Sequence, residues 1–364
     1  MTASTLALPV DEPRRPVVYR PHSAVFWVFV GAIAAGGLSL LFNYGAAFRI
    51  TLDAELALAP AWLVFMVFLV WLILRFDPFR VVRRYPQALV AAAVLGAVTA
   101  CAMAIAGNTA VQQLLGMVLP AGTVTQWSAA ISAPVIEETS KGLCAAVILL
   151  LCSAVMTRIA HALLIGMFVG FGFDVMEDMT YSTNSALQDL GSDIGGAGTS
   201  LLIRAFTSVP AHWSYTAMTA VGILLLLPSF AGRGAWSVRR RVATASGLFF
   251  SAWLMHFVWD SPAGANTIAV FALPLKVLFD LTIFLGIVLL LLREERRWVA
   301  ERIDTAVELR RFRPELLDSL TTWRKRRALQ KATKKTGGRS AARQVKTQQR
   351  EALDAIQATG EPCP

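Results

Sequence analysis

The sequence predicts an all-α, polytopic membrane protein with about eight transmembrane helices and both termini in the cytoplasm. Three observations predict it. Apolar residues make up 55% of the 364-residue chain and charged residues only 16%, which is too little polar surface to cover a soluble globule of that length. The apolar residues gather into runs of the roughly 20 needed to cross a bilayer. Lys and Arg concentrate in alternate connections between those runs, as cytoplasmic loops do.

The runs span residues 24–42, 56–74 and 88–106, a fourth beginning near Ala129 or Pro134 and ending near Met156, then 160 to about 179, 210–227, 242–260 and 267–292. Arg14, Arg15 and Arg20 precede the first run, Arg75, Arg80, Arg83 and Arg84 follow the second, and Arg233, Arg239, Arg240 and Arg241 follow the sixth. These belong inside. Arg158 marks the connection between the fourth and fifth runs, whereas the remaining loops carry only Arg49 and Arg204, beside acids such as Asp53, Glu55, Asp189 and Asp193. The polar stretch of about 20 residues before the first run distinguishes it from a cleaved signal peptide.

The chain thus divides into a cytoplasmic segment (1–23), a membrane domain (24–292) and a tail (293–364) holding eighteen of the 34 basic residues against ten acidic ones. Residues 293–312 read as an amphipathic helix with Trp298, Ile303 and Val307 toward the bilayer. Pro314 opens a second helix ending near Lys335, and disorder is expected beyond Gly337 and Gly338. Anionic lipid is the expected partner of this tail. Nucleic acid is not, since aromatic residues do not interleave the basic ones. Cys101, Cys144 and Cys152 lie in apolar runs and Cys363 is almost terminal, so no disulfide framework is expected.

Ionisable side chains at mid-helix cost about 2.5–3.5 kcal/mol each on insertion scales and call for a partner or a function. The fourth run carries Glu137, Glu138 and Lys141 at i,i+4 and i,i+3 spacing, so either acid can neutralise the lysine. The fifth holds Asp174, Glu177 and Asp178, the last readable as a boundary residue. His212 and Thr216 begin the sixth, and His256 and Asp260 form an i,i+4 pair ending the seventh, where a carboxylate can orient an imidazole or share a metal with it. The loop charges put all four sets toward the outer leaflet, with Glu137 roughly 5 to 12 Å down its helix at 1.5 Å per residue. Pro134 and Pro210 suit first helical turns.

These residues resemble the PrsW family of intramembrane proteases, distantly similar to the CAAX prenyl proteases. The family's EExxK appears as Glu137-Glu138-Thr139-Ser140-Lys141, its FxxxE as Phe173 through Glu177, its HxxxD as His256 through Asp260, and His212 matches its additional histidine. The match covers about residues 129–262. The resemblance implies hydrolysis of a peptide bond in a membrane-anchored protein of the anti-sigma-factor kind, from the outer side of a bacterial cell membrane. It implies a site of Glu137, Glu138, Lys141, Glu177, His212, His256 and Asp260. Either Glu137 or Glu138 activates water, and two routes stay open. In one, His212, His256 and Glu177 or Asp260 hold a zinc ion. In the other, a metal-free glutamate acts as base while a histidine with Asp260 stabilises the oxyanion. The alternatives from other classes are a non-catalytic scaffold and a proton- or ion-coupled transporter, the latter unsupported by internal repeats.

Overall fold

A computed structural model describes residues 17–263 and 267–359; Arg14, Arg15 and Cys363 fall outside them. Among the described residues every regular element is helical. Helices α1 (Ala24–Ile50) and α2 (Leu52–Ile73) expose apolar side chains on most of their surface. Helices α3 (Pro86–Leu95) and α4 (Cys101–Val118) join through a π-helical stretch, Gly96–Ala100. Then come α5 (Ala121–Leu151), α6 (Ile159–Gln188), α7 (Asp193–Thr207), α8 (His212–Leu226), α9 (Val238–Asp260) and α10 (Thr267–Thr305).

Six of these helices are long and apolar enough to cross a membrane, counting α3 and α4 as one, and the α7–α8 pair, bent by 48°, makes a seventh if it is a single span. That is fewer than the eight runs expected. The helix left out is α5: it has 31 residues, but Glu137, Glu138 and Lys141 occupy its middle.

Two further expectations change. The fourth helix starts at Ala121, and Pro134 lies inside it rather than in its first turn. Glu137 is therefore about 24 Å along the helix from Ala121 at 1.5 Å per residue, deeper than the 5 to 12 Å expected. The connection after the fifth helix is no loop, because α6 continues to Gln188 and α7 follows it. There Ser192 caps α7 by accepting from the Gly195 N–H at 3.1 Å.

The core lies among α5, α6, α8 and α9, and glycines set how closely these helices pack. A Cβ on Gly170 would stand 2.4 Å from the His212 carbonyl oxygen, and one on Gly166 would stand 2.3 Å from that of Thr216. Small residues at i,i+4 thus let α8 lie against the α6 backbone, as interfaces within a bilayer require. Cys101, Cys144 and Cys152 are free and buried, as small apolar residues.

The tail departs most from expectation. After α10 come α11 (Pro314–Leu320) and α12 (Trp323–Ala358), and residues 339–358 are helical rather than disordered. Gly338, at φ +76° in the left-handed region that favours glycine, breaks α12 into two arms. These fold back on each other, with Gln330 Nε2 donating to Gln349 Oε1 at 2.6 Å. Leu317, Leu320, Val345, Leu353 and Ile356 form a second core with Phe79 and Val81 of the membrane domain. Arg80 forks onto Asp354 at 2.7 and 3.0 Å. Trp298 stacks beneath Arg158 at 3.6 Å and Ile303 joins this core, so neither turns to lipid as the amphipathic pattern implied; Val307 alone is exposed.

Candidate active site

Four helices bring the ionisable residues together. Glu137, Glu138 and Lys141 occupy one face of α5, Glu177 comes from α6, His212 opens α8, and His256 and Asp260 end α9. The position of His212 follows from the break between α7 and α8. A helix start inside a membrane leaves backbone N–H groups without partners. Asp174 of α6 supplies them, accepting from the His212 N–H at 3.3 Å and the Trp213 N–H at 3.2 Å. Residue 212 is thus held within the helix bundle, and its side chain is buried.

Lys141 is wholly buried and fully engaged. Its Nζ lies 2.7 Å from Glu138 Oε1, 3.5 Å from Glu137 Oε2 and 2.7 Å from His212 Nδ1, with the Phe173 ring 4.3 Å away. Phe173 thereby explains the aromatic in the FxxxE pattern, since it covers the ammonium and packs on His212 at 4.8 Å between centroids.

Each imidazole rests on a carboxylate of its own. His212 Nε2 donates to Glu177 Oε2 at 3.0 Å, leaving Nδ1 as acceptor toward Lys141. His256 Nδ1 donates to Glu138 Oε1 at 3.0 Å, so Nε2 turns its lone pair toward Glu137 Oε2 at 3.6 Å and Asp260 Oδ2 at 3.3 Å. These tautomers are assigned from the partners. The ring centroids of His212 and His256 are 4.9 Å apart. Glu137 Oε2 also lies 3.8 Å from His212 Nδ1.

This donor set fits a metal. Glu137, His212 and His256 each offer one ligand atom within 4.8 Å of the others, and all three are buried. A carboxylate behind each histidine fixes its tautomer and raises its basicity, as second partners of metal-binding histidines do. Glu137 Oε2, Asp260 Oδ2 and His256 Nε2 converge, with the Lys141 ammonium 3.5 Å from the first, an arrangement that a cation or a proton on Nε2 relieves. Glu177, expected as a ligand, is engaged by His212 and by Arg204 Nη2 at 2.8 Å.

Several residues of the site are invisible to motif reasoning. Asn108 of α4 donates to Glu137 Oε1 at 2.9 Å, leaving Oε2 to face the histidines. Arg204, which reads as a loop residue, belongs to α7 and pairs with both Glu177 and Asp178. Asp178 is therefore a buried ion-pair partner, not a boundary residue. Tyr215 stacks on His256 at 5.3 Å and donates from its hydroxyl to Asp280 of α10 at 2.6 Å. Lys276 of α10 donates to the Trp259 carbonyl at 2.8 Å and to that of Ser261, closing the end of α9 that carries Asp260. Acids inside apolar stretches were the available signal for Asp280; Asn108 had none.

The chain is a multi-pass helical membrane protein in which buried glutamates and histidines from separate helices converge. The family model that matches the chain, over residues 85–292, is that of the PrsW family intramembrane metalloprotease, and the chain belongs to this family. The matched segment runs from the start of α3 into α10 and includes the whole site. No curated protein and no solved structure matches the chain. The protein is a PrsW-like peptidase whose substrate is a protein in the membrane.

Proposed function

We propose that the protein cleaves single-span, membrane-anchored proteins of the anti-sigma-factor kind from the outer side of a bacterial cell membrane. The observation that carries this reading is the convergence of Glu137, His212 and His256, from α5, α8 and α9, within 4.8 Å of one another. Eight crossings follow if α5 and the α7–α8 pair each count as one, and the amino terminus and tail then lie in the cytoplasm. The contacts of Arg75, Arg83, Arg158 and Arg240 with the tail gather these cations at one end of the bundle and support that orientation.

His212 and His256 would hold a zinc ion, with Asp260 Oδ2 the oxygen donor beside His256 and Glu137 left as the base. Such an ion would polarise the scissile carbonyl and acidify the attacking water. The chain's own residues do the rest. Asn108 restrains Glu137 Oε1, so Oε2 faces the reacting centre and accepts the proton of the attacking water. Glu138 is a positioning residue that holds His256 Nδ1, and Lys141 neutralises it; His212 Nδ1, which the ammonium occupies, would have to pass from Lys141 to the ion. Glu177, kept in place by Arg204, holds the other side of His212. Burial of Glu137, His212 and His256 excludes bulk water, which strengthens each of these interactions.

The test is to map new protein termini in bacterial membranes containing the wild-type protein or its Glu137→Gln variant. Wild-type-dependent cuts in single-span proteins, at the outer end of the span, are expected. Cuts confined to cytoplasmic ends overturn the orientation, and no difference between the two samples overturns the catalytic reading.

A further inference from the structure

Far from the glutamate and histidine cluster, a cavity of about 390 Å³ opens where the tail docks on the membrane domain. One wall is the end of α2 and the turn after it, with Arg75, Arg80 and Arg83; the other is α12, with Arg327, Lys346 and Arg350. Such a concentration of cations needs counter-charge, yet among the described residues Asp77 is the only acid in the lining. Its carboxylate is already engaged by the Val81 N–H at 2.6 Å and by Arg83 at 3.6 Å. Arg80 is held by Asp354. Arg75, Arg327, Lys346 and Arg350 have no carboxylate partner among the described residues.

The walls are built rather than incidental. Arg326, a buried guanidinium in the lining, donates to the Pro78 carbonyl, and Gln349 is buried beside it with its amide donating to the Arg326 carbonyl at 3.3 Å. Arg75 lies over Trp71 at 5.4 Å and Arg327 over Trp323 at 4.4 Å. Guanidinium planes so supported suit a phosphate, which accepts from several N–H groups at once.

We propose that this cavity binds a phosphate-bearing anion, and that its occupant is the headgroup of an acidic phospholipid. The lipid source follows from α2. Val64, Val67, Phe68 and Trp71 are exposed and lie at i, i+3, i+4 and i+7, an apolar stripe leading directly to Arg75 four residues on. A lipid chain lies along that stripe while its phosphate enters the cavity. Trp71 and Trp323, both about half exposed, flank the mouth as aromatic residues do at a membrane surface. A free phosphate makes no use of the stripe. Because α2 and α12 supply opposite walls, the lipid fastens the tail to the membrane domain. This site does not depend on the catalytic reading.

The test uses the full-length protein in a neutral detergent, with dioleoyl phosphatidylglycerol, dioleoyl phosphatidylcholine and inorganic pyrophosphate as probes and native mass spectrometry as readout. Phosphatidylglycerol is expected to be retained in preference to phosphatidylcholine and to survive millimolar pyrophosphate. The combined Arg327→Gln, Lys346→Gln, Arg350→Gln variant, whose three side chains are exposed and whose folding is checked by thermal unfolding, should bind it roughly tenfold more weakly or worse. The matched variant Arg233→Gln, Arg239→Gln, Arg296→Gln, also at exposed positions, should bind it as wild type does. Equal losses in the two variants overturn the site, because bulk charge then suffices. Displacement of the lipid by pyrophosphate, or equal retention of the two lipids, overturns the lipid assignment.

Discussion

Replacing Glu137 and Glu138 separately with glutamine should divide the two adjacent acids by role. Glu137 Oε2 faces both imidazoles, at 3.6 and 3.8 Å, and sits 3.5 Å from Lys141, whereas Glu138 Oε1 lies 2.7 Å from Lys141 and 3.0 Å from His256 Nδ1. Glutamine at 137 keeps an oxygen for Asn108 and leaves Lys141 its nearer acid. Its thermal unfolding should therefore stay within a few degrees of wild type. Loss of a general base costs about 10²- to 10⁴-fold in rate. Glutamine at 138 removes the nearer partner of a lysine with no exposed surface. Leaving a buried charge short of its partner costs about 2 kcal/mol while Glu137 still contributes, which lowers the unfolding temperature by several degrees in a chain of this size. Cleavage should fall less than in the first variant, because His256 is loosened rather than the reacting carboxylate removed. The assay pairs turnover of a membrane-anchored reporter in liposomes with unfolding in detergent. A Glu137→Gln enzyme retaining more than about a tenth of wild-type activity refutes the assignment. So does a Glu138→Gln enzyme that is inactive yet as stable as wild type.

Arg204→Gln leaves Glu177 and Asp178 without their shared cation, and loss of about 3 kcal/mol or more of stability is expected, with weaker cleavage through the loosened His212; unchanged unfolding and turnover contradict the ion pair's role. Stripping divalent metal should abolish cleavage and zinc should restore it, and zinc should raise the unfolding temperature of wild type but not of a His212→Ala, His256→Ala protein. Activity that survives verified metal removal rejects the metal route. Burial pushes the Asp77 carboxyl from 3.8 up to about 6, with the Val81 N–H and Arg83 only partly opposing it. With the folded value raised, protonation favours the folded state: the contribution is full below about pH 4 and is lost as pH rises through 6. Wild type should therefore unfold at a higher temperature at pH 5 than at pH 7.5, by up to about 2 kcal/mol in stability. Asp77→Asn should flatten that difference, and an unchanged pH dependence excludes Asp77 as its source.

Much of the molecule could be read from the residues in order. Runs of apolar side chains located the helices, since a bilayer demands length and low charge from each segment separately. In α5 that demand conflicts with function. The acids and lysine of α5 mark the site, yet by composition they also remove that helix from the plain spans. Pro134 looked like a beginning because proline favours a first turn, but packing on both sides carries it within α5. The 193–207 segment reads as an outer loop because Asp193 and its three glycines weaken any periodic signal, and it is helical. In the tail, the Gly337–Gly338 pair reads as the start of disorder, and it is instead the turn of a helical hairpin.

What the sequence by itself determined is the membrane class, the set of ionisable residues, and the four ordered motifs that carry the family resemblance, because spacing along one helix decides which side chains share a face. Only the tertiary structure decided which nitrogen of each histidine turns inward, which of two neighbouring glutamates faces both rings, and that Asn108, Arg204, Tyr215 and Asp280 support them. The reason is physical: those relations are contacts of a few ångströms between separate helices, set by how closely glycines let backbones approach and by which buried charges must find one another.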